Sequence, residues 1–460
     1  MSNVSRRRFI QAGAVGAAAL PLLGTARAPF GPENDQTTMR GATHPIYEDA
    51  TLQPALNADG SLSFGATGVP SAGGYPNEDA FWDLIAAQYP VTEKRIYFNT
   101  GGLGPAPATV IATQTATLQA LQATSETGHR IFGQARDIVA PFFGCDPTEI
   151  AFMRNATEAT STIASGLNLE AGDEVIFETH AHPGGSIPWM SRRIRDGIRI
   201  RTFEPHPDNP SENVARIERL ITRRTRVIQI SHITAPTGIH FPVPEIAQLC
   251  ADHNIWFHID GAQSAGMVPI HLHNLGCDSF ATSGHKWMGA PHGTGLLFVK
   301  ASRLDDVTPT EVGAYSDSAY DMPDVFEYNT SAVRYESGTR DAASVAGMAA
   351  AVRFLSDIGI DRVAERSRTL ALRLQAGIRN LPGLTLLSPR TNAQGSAITT
   401  IRMAQKPYNE LFSLLMREHN MRTRVVTEED LNALRISTHI FNTEDDIDAL
   451  IEALTTISAG

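Results

Sequence analysis

Two side chains carry the sharpest chemical meaning in this sequence: a lysine able to form a Schiff base and a carboxylate able to hold a proton on a ring nitrogen. Lys286 stands in Ser283-Gly284-His285-Lys286-Trp287, and Asp260 in His258-Ile259-Asp260-Gly261-Ala262-Gln263. A lysine amine condenses with an aldehyde. A carboxylate beside a pyridine nitrogen keeps it protonated, so that the ring withdraws electrons. Pyridoxal 5′-phosphate (PLP) asks both of a protein. Asp260 closes an apolar run at 255–259 and Lys286 follows a second at 279–282. Both groups are therefore expected at the ends of neighbouring strands, where open α/β sheets bind their ligands.

A phosphate needs donors as well. Asn155-Ala156-Thr157-Glu158 follows a strand-like run ending at Met153 and opens a helix. Free backbone amides at a helix start, with a hydroxyl beside them, suit an anion. A rival set of donors is His180 and His182 in Thr179-His180-Ala181-His182-Pro183, completed by His258 and Asp260 as a metallohydrolase centre. That set leaves Lys286 and the phosphate turn without a purpose, so no metal is expected.

The run 227–300 resembles the class V aminotransferase family of fold-type I PLP enzymes, and the likeness extends more loosely from about Tyr97 to the C-terminus. Glu336-Ser337-Gly338-Thr339-Arg340-Asp341 and Leu434-Arg435-Ile436-Ser437-Thr438-His439-Ile440-Phe441-Asn442-Thr443 resemble the isopenicillin N epimerase-like branch in particular. The resemblance implies a large lobe with a mostly parallel sheet and a smaller α+β lobe. It also implies roles for single residues. Ala156, Thr157, Ser283 and His285 would reach the PLP phosphate. Gln263 would bond the phenolic oxygen, and His182 would stack on the ring and assist proton transfer. Thr339 would reach the phosphate of a neighbouring subunit, which implies a homodimer with shared sites. Arg435 would grip the substrate carboxylate, a bidentate task that a planar guanidinium suits. An arginine inside the apolar strand 433–436 is costly without such a partner. Arg424 and Arg340 are further candidates for the same pocket. One departure matters: 422–432, where cysteine desulfurases carry their nucleophilic cysteine, contains none. Ala235 also stands where those enzymes often place an asparagine.

The bulk properties fit an ordinary globular enzyme. The chain has 460 residues, 42% hydrophobic and 19% charged, with a net charge of −11. That balance, with no basic patch, excludes a nucleic-acid partner. Three scattered cysteines, Cys145, Cys250 and Cys277, form neither a disulfide framework nor a zinc knuckle. Ser5-Arg6-Arg7-Arg8-Phe9-Ile10 precedes a short apolar run at 12–23 and the small-residue zone Gly24-Thr25-Ala26-Arg27-Ala28. This reads as a twin-arginine export signal, and the run is too short for a comfortable membrane span. A periplasmic or secreted protein without stable membrane association is expected.

Behind the signal at 1–28, residues 29–78 read as an extended Gly-, Pro-, Ser- and Asn-rich arm. Residues 79–335 read as the large domain, with 79–105 able to pack on the small lobe, and 336–460 as the small domain. Strands are expected at 95–99, 150–153, 174–177, 198–203, 226–231 and 255–259, alternating with helices. Long helices are expected at 342–356 and 361–380, strands near 384–387, 396–402 and 434–437, and a last helix from Glu444. The expected activity is PLP-dependent chemistry at the α-carbon of an amino acid or a derivative, with epimerisation favoured. Transamination and carbon–sulfur lysis are the alternatives, and a PLP-binding protein without turnover is a remote one.

Overall fold

A computed structural model describes residues 56–57, 60–71, 74–390 and 395–459. The expected export signal at 1–28 and most of the expected arm lie outside these residues. The first strand, β1 (Ile96–Tyr97), pairs in parallel with Met421–Arg422 near the other end of the chain. The large sheet is built from β2 (Ile150–Met153), β3 (Glu174–Glu178), β4 (Arg199–Phe203), β5 (Thr225–Ser231), β6 (Trp256–Asp260), β7 (Ser279–Ser283) and β8 (Gly295–Val299). Their order is β2-β8-β7-β6-β5-β3-β4. Strands β3 to β7 run parallel, and β8 lies antiparallel between β7 and β2.

The sequence explains this layout. Strands such as Trp256-Phe257-His258-Ile259-Asp260 and Gly295-Leu296-Leu297-Phe298-Val299 are buried at every position. A continuous apolar run, rather than an alternating one, marks a strand covered on both faces. Helices cross between the parallel strands, at Ala156–Gly166, Pro183–Asp196, Pro210–Glu218 and Val243–Asp252. The helix Ala342–Ile358 is rich in Ala and other apolar residues and is buried along most of its length, with Ser356 and Asp357 exposed near its end. It packs on the helices Ala108–Thr124 and His129–Phe142.

A hairpin of β9 (Asp317–Asp321) and β10 (Val325–Tyr328) follows. The second sheet contains β11 (Leu384–Leu386), β12 (Ile398–Met403), β14 (Arg424–Val426) and β15 (Ala433–Ser437), in the antiparallel order β11-β12-β15-β14; β13 is the Met421–Arg422 strand paired with β1. Its own core joins Ile401, Leu434 and Ile436 to Leu370 and Leu374 of the helix Ile360–Ile378 and to Leu450 and Leu454 of the last helix. β8 and the hairpin had no counterpart among the expected elements. β8 follows β7 without a crossover helix, and the hairpin has no apolar alternation to announce it. The described part of the arm lies on helices of the large-sheet side. Leu62 donates its N–H to Gln134 Oε1 at 2.7 Å, and Thr67 donates to Asp357 Oδ2 at 2.5 Å.

The two sheets are clasped together at one turn. Ser388 Oγ donates to Thr237 O at 2.7 Å, Ser396 Oγ to Gly238 O at 2.9 Å, and Thr400 Oγ1 to Pro236 O at 2.6 Å. Arg435 Nη1 adds a fourth bond, to Ala235 O at 2.9 Å. Among the described residues no single helix is long and apolar enough to cross a membrane.

Candidate active site

Parallel strands bring their C-terminal ends to one edge of the sheet, and the chemistry gathers there. Ser231 is the Cα partner of Asp260, and Asp260 the partner of Ala281. The loop after β7 carries Lys286 back across that edge. A cavity of ≈ 280 Å³ opens at this place, lined by Ala156, Thr157, His182, Asp260, Gln263, Ser283, His285, Lys286, Arg424 and Arg435. Ten of the twelve residues singled out from the sequence therefore meet in one pocket. Gly101, Gly102, Asn155, Gly184 and Ala262 also line it and had no site role in the sequence reading. The glycine pair after β1 was the available signal.

Lys286 is buried, and its amine pKa is brought down to about 8, chiefly by burial, with Asp260 opposing and the charges of Arg435 and Arg424 adding to the fall. Asp260 Oδ1 accepts the Ala262 N–H at 3.0 Å, which fixes the carboxylate at the strand end. Gln263 donates from Nε2 to Gly101 O and accepts from Trp287 Nε1, both at 2.8 Å. One amide N–H of Gln263 thus remains for a ligand. Trp287, next to the lysine, anchors that amide, a link no sequence spacing announces.

At the phosphate turn Asn155 caps the helix Ala156–Gly166, its Oδ1 accepting the Glu158 N–H at 2.9 Å. The Ala156 N–H donates to Ser283 Oγ at 2.9 Å, joining the helix start to the end of β7. His285 Nδ1 lies 3.2 Å from Thr294 O. His182 caps the next helix, its Nδ1 accepting the Gly184 N–H at 3.0 Å. Burial lowers the His182 pKa, with the Lys286 charge adding to the effect, so the ring is neutral and carries its proton on Nε2.

Arg435 is 1% exposed. Its described hydrogen bonds go to neutral acceptors, Ala235 O and, at 3.4 Å, Asn99 Oδ1, while its Nε has no partner. Among the described residues no carboxylate lies within ion-pair distance of it. Burial pulls its pKa down, and Arg424 adds to the pull. Arg424, its register partner across β14 and β15, is paired instead with Glu428.

Arg340 is a correction. It lies outside the pocket, pairing with Glu336 and donating to Phe152 O at 3.2 Å, with its guanidinium 4.1 Å from the Phe132 ring centre. Glu336 stands four residues before it, the spacing of an ion pair, and that signal was available in the sequence. Thr339 lines a neighbouring cavity of ≈ 390 Å³ with Arg154, Glu158 and Arg340, and does not line the lysine pocket of its own chain. The metallohydrolase set does not assemble either. His180 Nδ1 is 3.0 Å from Thr237 Oγ1, and the ring nitrogens of His258 sit at 3.1 Å from Thr160 Oγ1 and 2.8 Å from Ser279 Oγ.

The space itself fits a planar phosphorylated ring. A Cβ on Gly185 would stand 3.0 Å from Asp260 Oδ2, and one on Gly101 would stand 2.7 Å from Gln263 Oε1 and 3.1 Å from Arg435 Nη2. Glycine at both positions keeps the room around these groups open. A buried amine, a fixed carboxylate, an amide with a spare N–H and a helix start then match the aldehyde, ring nitrogen, phenolic oxygen and phosphate of PLP.

Comparison with known proteins agrees with this geometry. Isopenicillin N epimerase of Streptomyces clavuligerus is 28% identical over 389 residues, covering 82% of this chain and 98% of its own. The cystine C–S lyase C-DES, solved with its product cysteine persulfide, superposes with a TM-score of 0.75 at 25% identity, over 80% of this chain and 99% of that one. A lysine-to-alanine variant of C-DES, with glycine covalently linked to its PLP cofactor, gives a TM-score of 0.74 at 25% identity, over 80% and 98%. The likeness to the epimerase branch noted in the sequence is thus met by a relative matched along nearly its whole length. With residues 109–450 matching the aminotransferase class-V family, the chain belongs to that family.

Proposed function

We propose that this PLP-dependent enzyme epimerises the α-carbon of an amino acid or an amino-acid-derived substrate. The observation that carries the reading is Arg435, a buried guanidinium bonded only to neutral acceptors, in the same pocket as Lys286 and Asp260. Such a cation calls for an anion, and a substrate α-carboxylate supplies one. Bound PLP supplies the electron sink that makes the α-hydrogen acidic.

The chain's own groups divide the remaining work. Lys286 would hold the cofactor, and its amine, with a pKa brought down to about 8, would serve as the base for the α-proton. Asp260 keeps a proton on the ring nitrogen. Arg435 orients the carboxylate. His182, neutral and with Nε2–H available, is the second proton carrier that return of hydrogen to the other face requires. Incubation of purified holoenzyme with D- and L-amino acids in heavy water tests this. Deuterium entering the α-position with loss of optical purity is expected; conversion to a keto acid without it would refute epimerisation.

Carbon–sulfur lysis is the second reading, favoured by the similarity to C-DES. A persulfide held on an enzyme cysteine is not part of it. Cys145, Cys250 and Cys277 are all buried away from the pocket, and burial pushes each thiol pKa up. We propose further that the enzyme is a homodimer in which Thr339 meets the partner's phosphate site, and that Arg6 and Arg7 direct export of the folded holoenzyme. Changing both to Lys is expected to abolish its appearance in the periplasm.

A further inference from the structure

Arg424 and Arg435 are Cα partners on neighbouring antiparallel strands, so their side chains leave the same face of the sheet. Both line the lysine pocket. The pocket therefore holds two guanidiniums where one would serve a single carboxylate. They differ in what neutralises them. Arg435 has no anionic partner, whereas Arg424 is held by both oxygens of Glu428. Glu428 also accepts the Thr427 N–H at 3.1 Å. Both members of the pair are partly exposed, at 25% and 18% of their side chains, so solvent and ligands reach them.

The segment that presents Glu428 is itself unusual. Glu429, Asp430 and Asn432 have positive φ values of 50°, 53° and 46°. Three non-glycine residues in the left-handed region within four positions are an energetic burden, and such burdens concentrate where a loop has a task. Glu428 thus sits on a short strained turn rather than on the sheet, and swinging it away disturbs no strand.

We propose that Arg424 reads a second carboxylate, at the far end of the substrate side chain, and that Glu428 is a stand-in anion that gives way to it. The inference rests on the reading of Arg435 as the α-carboxylate site and names the substrate class for that site: an amino acid with an acidic side chain, or a derivative keeping that terminal carboxylate. A neutral substrate leaves the Arg424–Glu428 pair closed. A dicarboxylic one exchanges one carboxylate for another at Arg424 and gains a charge-assisted bidentate contact.

The test is calorimetric titration of the holoenzyme with alanine, glutamate and 2-aminoadipate, alongside α-deuterium exchange for each. Wild type is expected to bind at least one of the two diacids about tenfold or more tightly than alanine. Arg424→Leu is expected to collapse that ratio towards one. Glu428→Gln, which keeps the shape of the turn's side chain, is expected to widen it several-fold by weakening the competitor. The proposal is overturned if wild type shows no preference for either diacid, if Arg424→Leu weakens alanine and the diacids by the same factor, or if Glu428→Gln leaves the ratio unmoved. Alanine binding without a diacid preference would remove this inference alone. Failure of every amino acid to bind would remove the α-carbon reading with it.

Discussion

Two sets of arginines in this molecule are built to opposite rules. In the first, Glu336 accepts from Arg136 and Arg340 with one oxygen and from the Phe152 N–H with the other, at 2.6 Å. Arg136 also donates to Ile150 O at 3.3 Å, so the cluster ties the helix His129–Phe142, the strand β2 and the 336–340 segment together. In the second, Arg435 reaches neutral oxygens alone and keeps one nitrogen unbonded. Residue type is the same, and Arg136 and Arg435 are both buried. What separates a structural cation from a binding one is whether the fold supplies the counter-charge.

That contrast can be broken in several ways. The largest effect belongs to Lys286→Ala. Turnover should fall by at least about a thousandfold and the visible absorption of bound PLP should vanish, while the fold survives, as circular dichroism would show. Borohydride fixing PLP to another lysine of the wild type would defeat the assignment. Next comes Glu336→Ala, which strands the buried Arg136 guanidinium and the partly exposed Arg340; unfolding in urea should show a loss of about 3–5 kcal/mol. A smaller loss would mean that solvent enters the cluster.

Lys286 predicts a third effect, in the apoenzyme and with a pH signature. Its pKa is near 8 in the folded chain, below the ordinary 10.5, so the unfolded chain binds more protons between those values. Wild-type stability from this group therefore rises with pH through that window, and the full penalty, about 3 kcal/mol, applies below it. Apo Lys286→Met should be more stable than wild type near neutral pH by an amount of that order, and the advantage should fade by the pH at which a free lysine loses its proton. A pH-independent difference would show that the amine is not desolvated. Arg435→Leu should produce the mildest change in stability but a clear one in binding. Amino-acid affinity should drop roughly 30-fold or more, an amine without a carboxylate should be nearly indifferent, and the thermal midpoint should hold. Equal losses for both ligands would move the carboxylate site to Arg424.

The parts legible in the sequence share a physical reason. Lys286 and Asp260 stand at the ends of fully buried strands, where charged side chains at that spacing have few purposes besides chemistry. The helix start at Asn155 is written in its capping residues. Arg340 was misplaced because Ser337-Gly338-Thr339-Arg340 suggests a ligand loop, while the Glu336 four residues earlier that claims it also holds Arg136 from the far helix His129–Phe142. The Trp287–Gln263 and Ser283–Ala156 bonds depend on how β6, β7 and a helix start come together, and a linear pattern does not contain that. β8 escaped notice because it continues from β7 through the lysine loop with no crossover to signal a new strand.

The clasp on the 235–238 turn has a consequence for how this enzyme measures its substrate. Arg435 belongs to the second sheet and Lys286 to the first, and four bonds hold the sheets at a set separation across that turn. The span from carboxylate grip to proton-moving amine is then a caliper locked before anything enters it. A ligand is gauged against a fixed opening instead of drawing two jaws shut, so the entropy of positioning is met during folding and not at each encounter.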